Sequence, residues 1–140
     1  MIPHFYDGKN LPEGLHRATI HEVITHFGNS ARRAALCTSL QNIIATAQNC
    51  HFRKIILFGS FISSKNDPGD IDLFWTLPPE TDTDQIAPAC KQLINPQTSQ
   101  ALFSCDVFWC FDEHEAIVRM VGLFGFDREM QKRGLIMVEL

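Results

Sequence analysis

Two carboxylates stand inside an otherwise apolar run, Asp70-Ile71-Asp72-Leu73-Phe74-Trp75-Thr76-Leu77, and this restricts the fold more than any other feature of the sequence. The run is closed by Pro78-Pro79 and reads as a β-strand. Strand side chains alternate between faces, so Asp70 and Asp72 share one side while Ile71, Leu73 and Trp75 face the core. Carboxylates placed side by side on a half-buried strand repel each other, and unpaired buried charge is costly. A positive species is therefore expected between them. Hard oxygen ligands suit Mg²⁺ or Mn²⁺, and a carboxylate pair able to share ions is how two-metal sites hold the two oxygens of a phosphoryl transfer, with the ions about 3.5–4 Å apart.

A second strand candidate, Ala101 to Phe111, carries Asp106 between Cys105 and Val107, much as Asp72 lies between Ile71 and Leu73. An isolated carboxylate in such a setting suits a third metal ligand. Upstream, the apolar run Lys54-Ile55-Ile56-Leu57-Phe58 stops at Gly59-Ser60. A glycine at a strand end lets a phosphate approach the backbone, and a helix starting after it would aim N–H groups at the anion. The Ser60 hydroxyl adds a donor, and Lys65 is the only basic residue in the following loop, Phe61 to Pro68.

The rest of the chain supplies a framework for these groups. The first eighteen residues read as an irregular arm with turns at Asp7-Gly8 and Pro12-Glu13-Gly14. Thr19-Ile20-His21-Glu22 has the capping-box spacing ahead of an apolar stripe at Ile20, Val23, Ile24 and Phe27, and Gly28-Asn29 ends that helix. A second helix is predicted from Ser30 to Asn49, with Leu36, Leu40, Ile43, Ile44 and Ala47 on its apolar face. A third is expected from Asp82 to Ile94, ended by Asn95-Pro96, with Pro88 in its first turn or kinking it. Asp112-Glu113-His114-Glu115 starts a fourth, and Gly134 to Leu140 reads as a last strand. The order predicts an α+β fold, one small mixed β-sheet flanked by helices with two helices at the N-terminus, in a single domain over residues 1–140.

Charge is distributed unevenly. The net charge is −4, but residues 54–115 hold ten acidic and three basic side chains, a net −7, between flanks of +2 and +1. The acidic total argues against a general nucleic-acid binder. No stretch approaches the ~18 apolar residues of a membrane span, and the start lacks the regions of a signal peptide. Cys37, Cys50, Cys90, Cys105 and Cys110 are odd in number and contain no CxxC pair, so no disulfides and a reducing, cytoplasmic setting are expected. Arg32-Arg33 reads as a solvated helix face. His16, His21 and His26 recur every five residues, which scatters them around a helix instead of gathering them on a zinc ion. Phe74, Phe108 and Trp109 read as core.

Taken together, the apolar strand, Gly59-Ser60, nine residues, Asp70-x-Asp72 and the later Asp106 resemble the nucleotidyltransferase superfamily that includes DNA polymerase β, most closely its minimal single-domain members. The match spans residues 54–110. The segments Leu11 to His16, Phe27 to Arg33 and Asp127 to Leu140 more loosely resemble an uncharacterised prokaryotic family of small nucleotidyltransferase-like proteins. The resemblance implies transfer of a nucleoside monophosphate, AMP from ATP, to a protein or RNA hydroxyl. It implies that Asp70 and Asp72 ligate two Mg²⁺ or Mn²⁺ ions, that Asp106 ligates the catalytic one and helps activate the attacking oxygen, and that Gly59 and Ser60 hold the β- and γ-phosphates. Minimal members often carry an Arg soon after the Gly-Ser; here Lys65 is the only cation available there. Several such proteins serve as antitoxins, so a toxin–antitoxin setting is implied, with an inactive module that neutralises its partner by contact as the alternative. A domain of this size leaves acceptor recognition to a partner or to another subunit of an oligomer.

Overall fold

The computed structural model describes all 140 residues and has five helices and one mixed five-stranded sheet, an α+β fold. Strand β1 (Leu15–Arg17) leads into helices α1 (Ile20–Phe27) and α2 (Ala31–Asn49). Strands β2 (Lys54–Phe58) and β3 (Ile71–Leu77) follow, then α3 (Pro88–Ile94), α4 (Pro96–Phe103), β4 (Cys105–Phe111), α5 (His114–Phe124) and β5 (Leu135–Glu139). The strand order is β1-β5-β2-β3-β4. Strands β2 and β3 are antiparallel, as are β2 and β5, while β1 with β5 and β3 with β4 are parallel.

Alternation along the strands builds two unequal layers. Ile55, Leu57, Ile71, Leu73 and Trp75 join a core of 24 buried residues with Val23 and Phe27 of α1 and the Leu36–Ala47 stripe of α2. Trp75 donates its indole N–H to the Leu93 carbonyl at 2.9 Å, which ties α3 to this layer. The opposite face holds a smaller apolar cluster of five buried residues, Ile56, Phe58, Phe74, Leu135 and Met137, packed under Met120, Val121 and Phe124 of α5. The thicker helical layer fixes the sheet, and the thinner face leaves room for polar groups at one end of β3 and β4.

Local signals set the helix starts. Thr19 Oγ1 accepts from the Glu22 N–H at 3.1 Å and Glu22 accepts from the Thr19 N–H at 3.2 Å, so the capping box forms as the sequence predicts. Ser30 caps α2 by accepting from the Arg33 N–H at 3.1 Å. Elsewhere local rules mislead. The helix expected from Asp82 begins only at Pro88, because the proline holds Ala87 extended at ψ 149° and sits at the first helical position itself. Asn95 ends this helix as expected, but its side chain also accepts from the Thr98 N–H at 3.0 Å and caps α4, a helix the sequence did not predict. The strand expected from Ala101 therefore starts at Cys105, after Ser104 closes α4 in the left-handed region at φ 55°. The N-terminal arm is less irregular than predicted, since Leu15–Arg17 pairs in parallel with Leu135–Met137. His16 is consequently on a strand, with Nε2 at 2.6 Å from the Pro12 carbonyl. Asp112 pairs with Lys54 at 2.6 Å instead of capping α5, whose N-cap Glu113 makes no side-chain bond.

The expectation of no disulfides is overturned: Cys50 and Cys90 are bonded, with Cα atoms 5.8 Å apart. Cys50 caps the C-terminus of α2 and Cys90 lies in the first turn of α3. Forty residues separate the two, so no spacing motif reveals the pair; only the packing of α3 beside α2 on the same face of the sheet brings them together. Cys37, Cys105 and Cys110 are free. The cysteines therefore no longer point to a reducing compartment. No helix is long and apolar enough to cross a membrane.

The bond closes a loop that contains β2 and β3, and chain-entropy arguments give such a closure roughly 3–4 kcal/mol. Cys90→Ser should lower the urea midpoint accordingly, and dithiothreitol should bring the unsubstituted protein to the same midpoint while leaving the variant unmoved. Equal midpoints for the oxidised protein and the variant would show that the bond contributes nothing.

Candidate active site

Sheet register assembles the carboxylates. Asp72 is the β3 partner of Asp106 on parallel β4 and of Phe58 on antiparallel β2. The C-terminal end of β2 thus meets the N-terminal ends of β3 and β4. Asp70 stands one residue ahead of β3, just before Ile71, whose N–H donates to the Ser104 carbonyl at 3.0 Å. Ligand oxygens of Asp70, Asp72 and Asp106 all lie within 4.8 Å of one another. All eight ion pairs of the protein involve other residues, so the three carboxylates have no cationic partner.

Their electrostatics follow from that placement. Burial raises the Asp72 carboxyl to about 7, reinforced by the charges of Asp70 and Asp106. Burial and the Asp106 charge also raise Asp70, with Lys65 and Arg32 acting weakly against the shift. The same cluster and its own burial push the Cys105 thiol up to about 12, which makes it an inert core group. Three converging, unpaired carboxylates form a hard oxygen donor set that could hold a divalent cation.

Gly59 faces this cluster with φ 79°, a conformation that favours glycine, and a Cβ there would drive into the Asp72 carboxylate. A single 3₁₀ turn, Ser60–Ile62, follows in place of the expected helix start. Backbone approach at Gly59 and the Ser60 side chain remain available to a ligand, but no long helix aims its N-terminus there.

The loop beyond the turn is held by residues that the sequence did not single out for the site. Arg33, read there as part of a solvated face, is buried. Its guanidinium donates to the carbonyls of Phe61 at 2.6 Å, Ser63 at 2.8 Å, Lys65 at 2.6 Å and Phe27 at 3.4 Å. It also lies 5.6 Å from the centre of the Phe61 ring. Arg32 donates to the Pro68 and Gly69 carbonyls, so the first turn of α2 grips both ends of the loop that runs to Asp70. Position alone does not disclose this role, because Arg33 is marked only by falling three residues before Leu36 on the buried stripe.

The opposite wall comes from the C-terminal part of the chain. Phe126 bridges to Lys132, and Asp127 folds the intervening turn by accepting from the N–H groups of Glu129 at 3.0 Å and Gln131 at 2.8 Å. Asn10 donates to Asp127 at 3.1 Å, which ties the N-terminal arm to this turn. Between the two walls lies an open cleft of about 820 Å³ whose lining includes Gly59, Ser60, Lys65 and all three carboxylates, with Phe126 its one hydrophobic residue. So polar a lining suits a charged ligand better than an apolar one. Every residue expected at the site therefore lines one cleft, joined by Lys9, Asn10, Asp127 and Arg133, which sequence reasoning missed. Phe74 is core as predicted, whereas Phe108 is 45% exposed on the same strand face as Asp106.

Residues 3–139 match the model of a family described as a family of unknown function, DUF6932. The chain belongs to this family. The match includes both walls of the cleft and all three carboxylates. No curated protein and no solved structure matches the chain.

Two outcomes follow from this geometry. Arg33→Met would strand the carbonyls that the guanidinium now satisfies, at a cost of roughly 3–5 kcal/mol in chemical denaturation, and Arg33→Lys should rescue little because an ammonium lacks the fork. A loss below 1 kcal/mol would show that the loop is held by other contacts. For Asp72, the folded protein retains a proton up to about pH 7 that the unfolded chain releases near its ordinary value of 3.8. Stability is therefore greatest in acid, falls as pH rises through that window and levels off above it. Discounted for the solvent that reaches the cleft, Asp72→Asn should raise Tm at pH 8 by roughly 6 °C, equivalent to about 2 kcal/mol, and by much less at pH 5. Thermal melts at the two pH values check this, and a Tm difference that does not depend on pH would exclude the carboxylate repulsion.

Proposed function

We propose that this protein is a metal-dependent nucleotidyltransferase that moves a nucleoside monophosphate, AMP from ATP, onto a protein or RNA hydroxyl. The observation that carries the reading is the cluster of three unpaired carboxylates facing the glycine turn at Gly59-Ser60 across a polar cleft. A purely structural triad of acids would be expected to have ion-pair partners, and this one has none. The family match assigns no activity, so the reading rests on the site and on the resemblance of its motif.

In this reading Asp70, Asp72 and Asp106 hold Mg²⁺ or Mn²⁺, which when bound neutralises charge on the carboxylates and on the phosphates. Gly59 lets the triphosphate lie against the backbone, and Ser60 offers a hydroxyl donor. Asp106, on the neighbouring strand, accepts the proton of the acceptor hydroxyl as its oxygen attacks the α-phosphorus in line. The new P–O bond forms as the bond from the α-phosphorus to the bridging oxygen breaks, and pyrophosphate leaves. Most of the rate enhancement then comes from positioning and charge stabilisation. The acceptor brings its own binding surface, as a toxin paired with an antitoxin of this type would, and the compartment this implies is the cytoplasm.

Incubating the protein with α-labelled ATP, Mg²⁺ and co-purified proteins and RNA should label an acceptor. The label should fall by about 10²–10³-fold in Asp72→Ala and vanish with chelator. Labelling that persists in Asp70→Ala and Asp72→Ala would sink the assignment.

A further inference from the structure

The cations around the cleft are not equivalent. Lys9 is already engaged, with Nζ 3.3 Å from Glu129 and 3.7 Å from Asp127. Lys65 and Arg128 are exposed, and their charged ends make no hydrogen bond or ion pair. Arg133 alone among the cations that line the cleft is half-buried. Its backbone N–H donates to the Gly125 carbonyl at 2.9 Å and its Nε to the Phe124 carbonyl at 3.1 Å, so the end of α5 fixes the plane of the guanidinium. Both Nη groups are left without an acceptor in the protein.

A guanidinium in that position would ordinarily close a fork on the nearest carboxylate. Arg133 does not do so. It is close enough to Asp72 for each charge to act on the other, yet the two form no ion pair within 4.0 Å. The separation leaves space for anionic oxygens between the Arg133 wall and the Gly59-Ser60 wall. Once divalent ions occupy the carboxylates, Asp72 no longer offsets Arg133, which then presents unused, coplanar donors to the cleft. The loop after Gly59-Ser60 brings no comparable group, because Lys65 is exposed, and a solvated ammonium binds a phosphate weakly compared with a pre-oriented fork.

Building on the nucleotidyltransferase reading, we propose that Arg133 binds phosphate oxygens beyond the α-phosphate of a nucleoside triphosphate, and that this contact makes the site prefer triphosphates to monophosphates. The α-phosphate has to lie against the carboxylates where transfer occurs, whereas Arg133 stands off from Asp72 and reaches further along the polyphosphate. The same fork would hold pyrophosphate as it leaves.

Calorimetry with Mg·ATP, Mg·AMP and magnesium pyrophosphate tests the proposal without requiring turnover. The unsubstituted protein should bind Mg·ATP at least tenfold more tightly than Mg·AMP. Arg133→Met should weaken Mg·ATP and magnesium pyrophosphate by about tenfold or more and leave Mg·AMP unchanged, and Arg133→Lys should recover only part of the loss. An undiminished ATP-to-AMP preference in Arg133→Met would overturn the role of Arg133 while leaving the nucleotidyltransferase reading intact. Absence of binding to any of the three probes by the unsubstituted protein would overturn both. Since the substitution also removes the bond to Phe124, a second measurement uses the native chain: Mg·ATP, but not Mg·AMP, should protect Arg133 from phenylglyoxal as read by peptide mass. Equal protection by the two nucleotides would count against the proposal.

Discussion

Repulsion among Asp70, Asp72 and Asp106 is the constraint around which the rest of the structure is arranged. Their oxygens approach within 4.8 Å with no ion pair, in surroundings where burial already disfavours the charged forms. A chain tolerates this only if the backbone that carries the acids cannot move apart. The parallel register of β3 and β4 prevents such movement, because sliding β4 to separate Asp106 from Asp72 would also misplace Val107 and Cys105 in the main core. Core packing on one face of the sheet thus maintains an unfavourable electrostatic arrangement on the other. Local instability of this kind is common where a site is built for a ligand that supplies the missing charge.

The two walls of the cleft are held by polar contacts of different kinds. On one side a buried cation, Arg33, satisfies carbonyls of a loop that makes few regular backbone bonds of its own. On the other a carboxylate, Asp127, satisfies N–H groups of a turn and takes Asn10 from the N-terminal arm. Each anchor reaches across the chain: Arg33 lies thirty residues from Ser63, and Asp127 lies 117 residues from Asn10. The termini are therefore part of the site, since β1 and β5 pair beside β2 and lead directly into these walls. The Cys50–Cys90 bond acts away from the cleft, clamping α3 to the end of α2.

Much of this was legible in the sequence where the controlling physics is short-range. The capping box at Thr19, the buried stripe of α2 and the alternation of β3 each depend on a few neighbouring residues, and each forms as read. Errors arose where one local rule met another. Pro88 was accommodated at a helix start and shortened the expected helix, and Asn95-Pro96, which does stop α3, also serves as cap and first residue of an unpredicted helix, α4. The grouping of Asp70, Asp72 and Asp106 could be inferred because isolated carboxylates in apolar strands have few other uses. Arg33 could not be assigned to the site, because its partners are backbone carbonyls and every residue type carries those.

By itself the sequence determined which side of β3 a residue occupies, where α1 and α2 begin, and that β2 stops at Gly59. Backbone geometry and alternation decide such features within a few residues. Only the tertiary structure decided that Asp106 lies in register with Asp72, that Cys50 meets Cys90, that Arg33 anchors the loop on one side of the cleft and that Arg133 lines it. Those pairings depend on strand order and helix packing across tens of residues, and local periodicity carries no information about which distant segment will fill the space alongside.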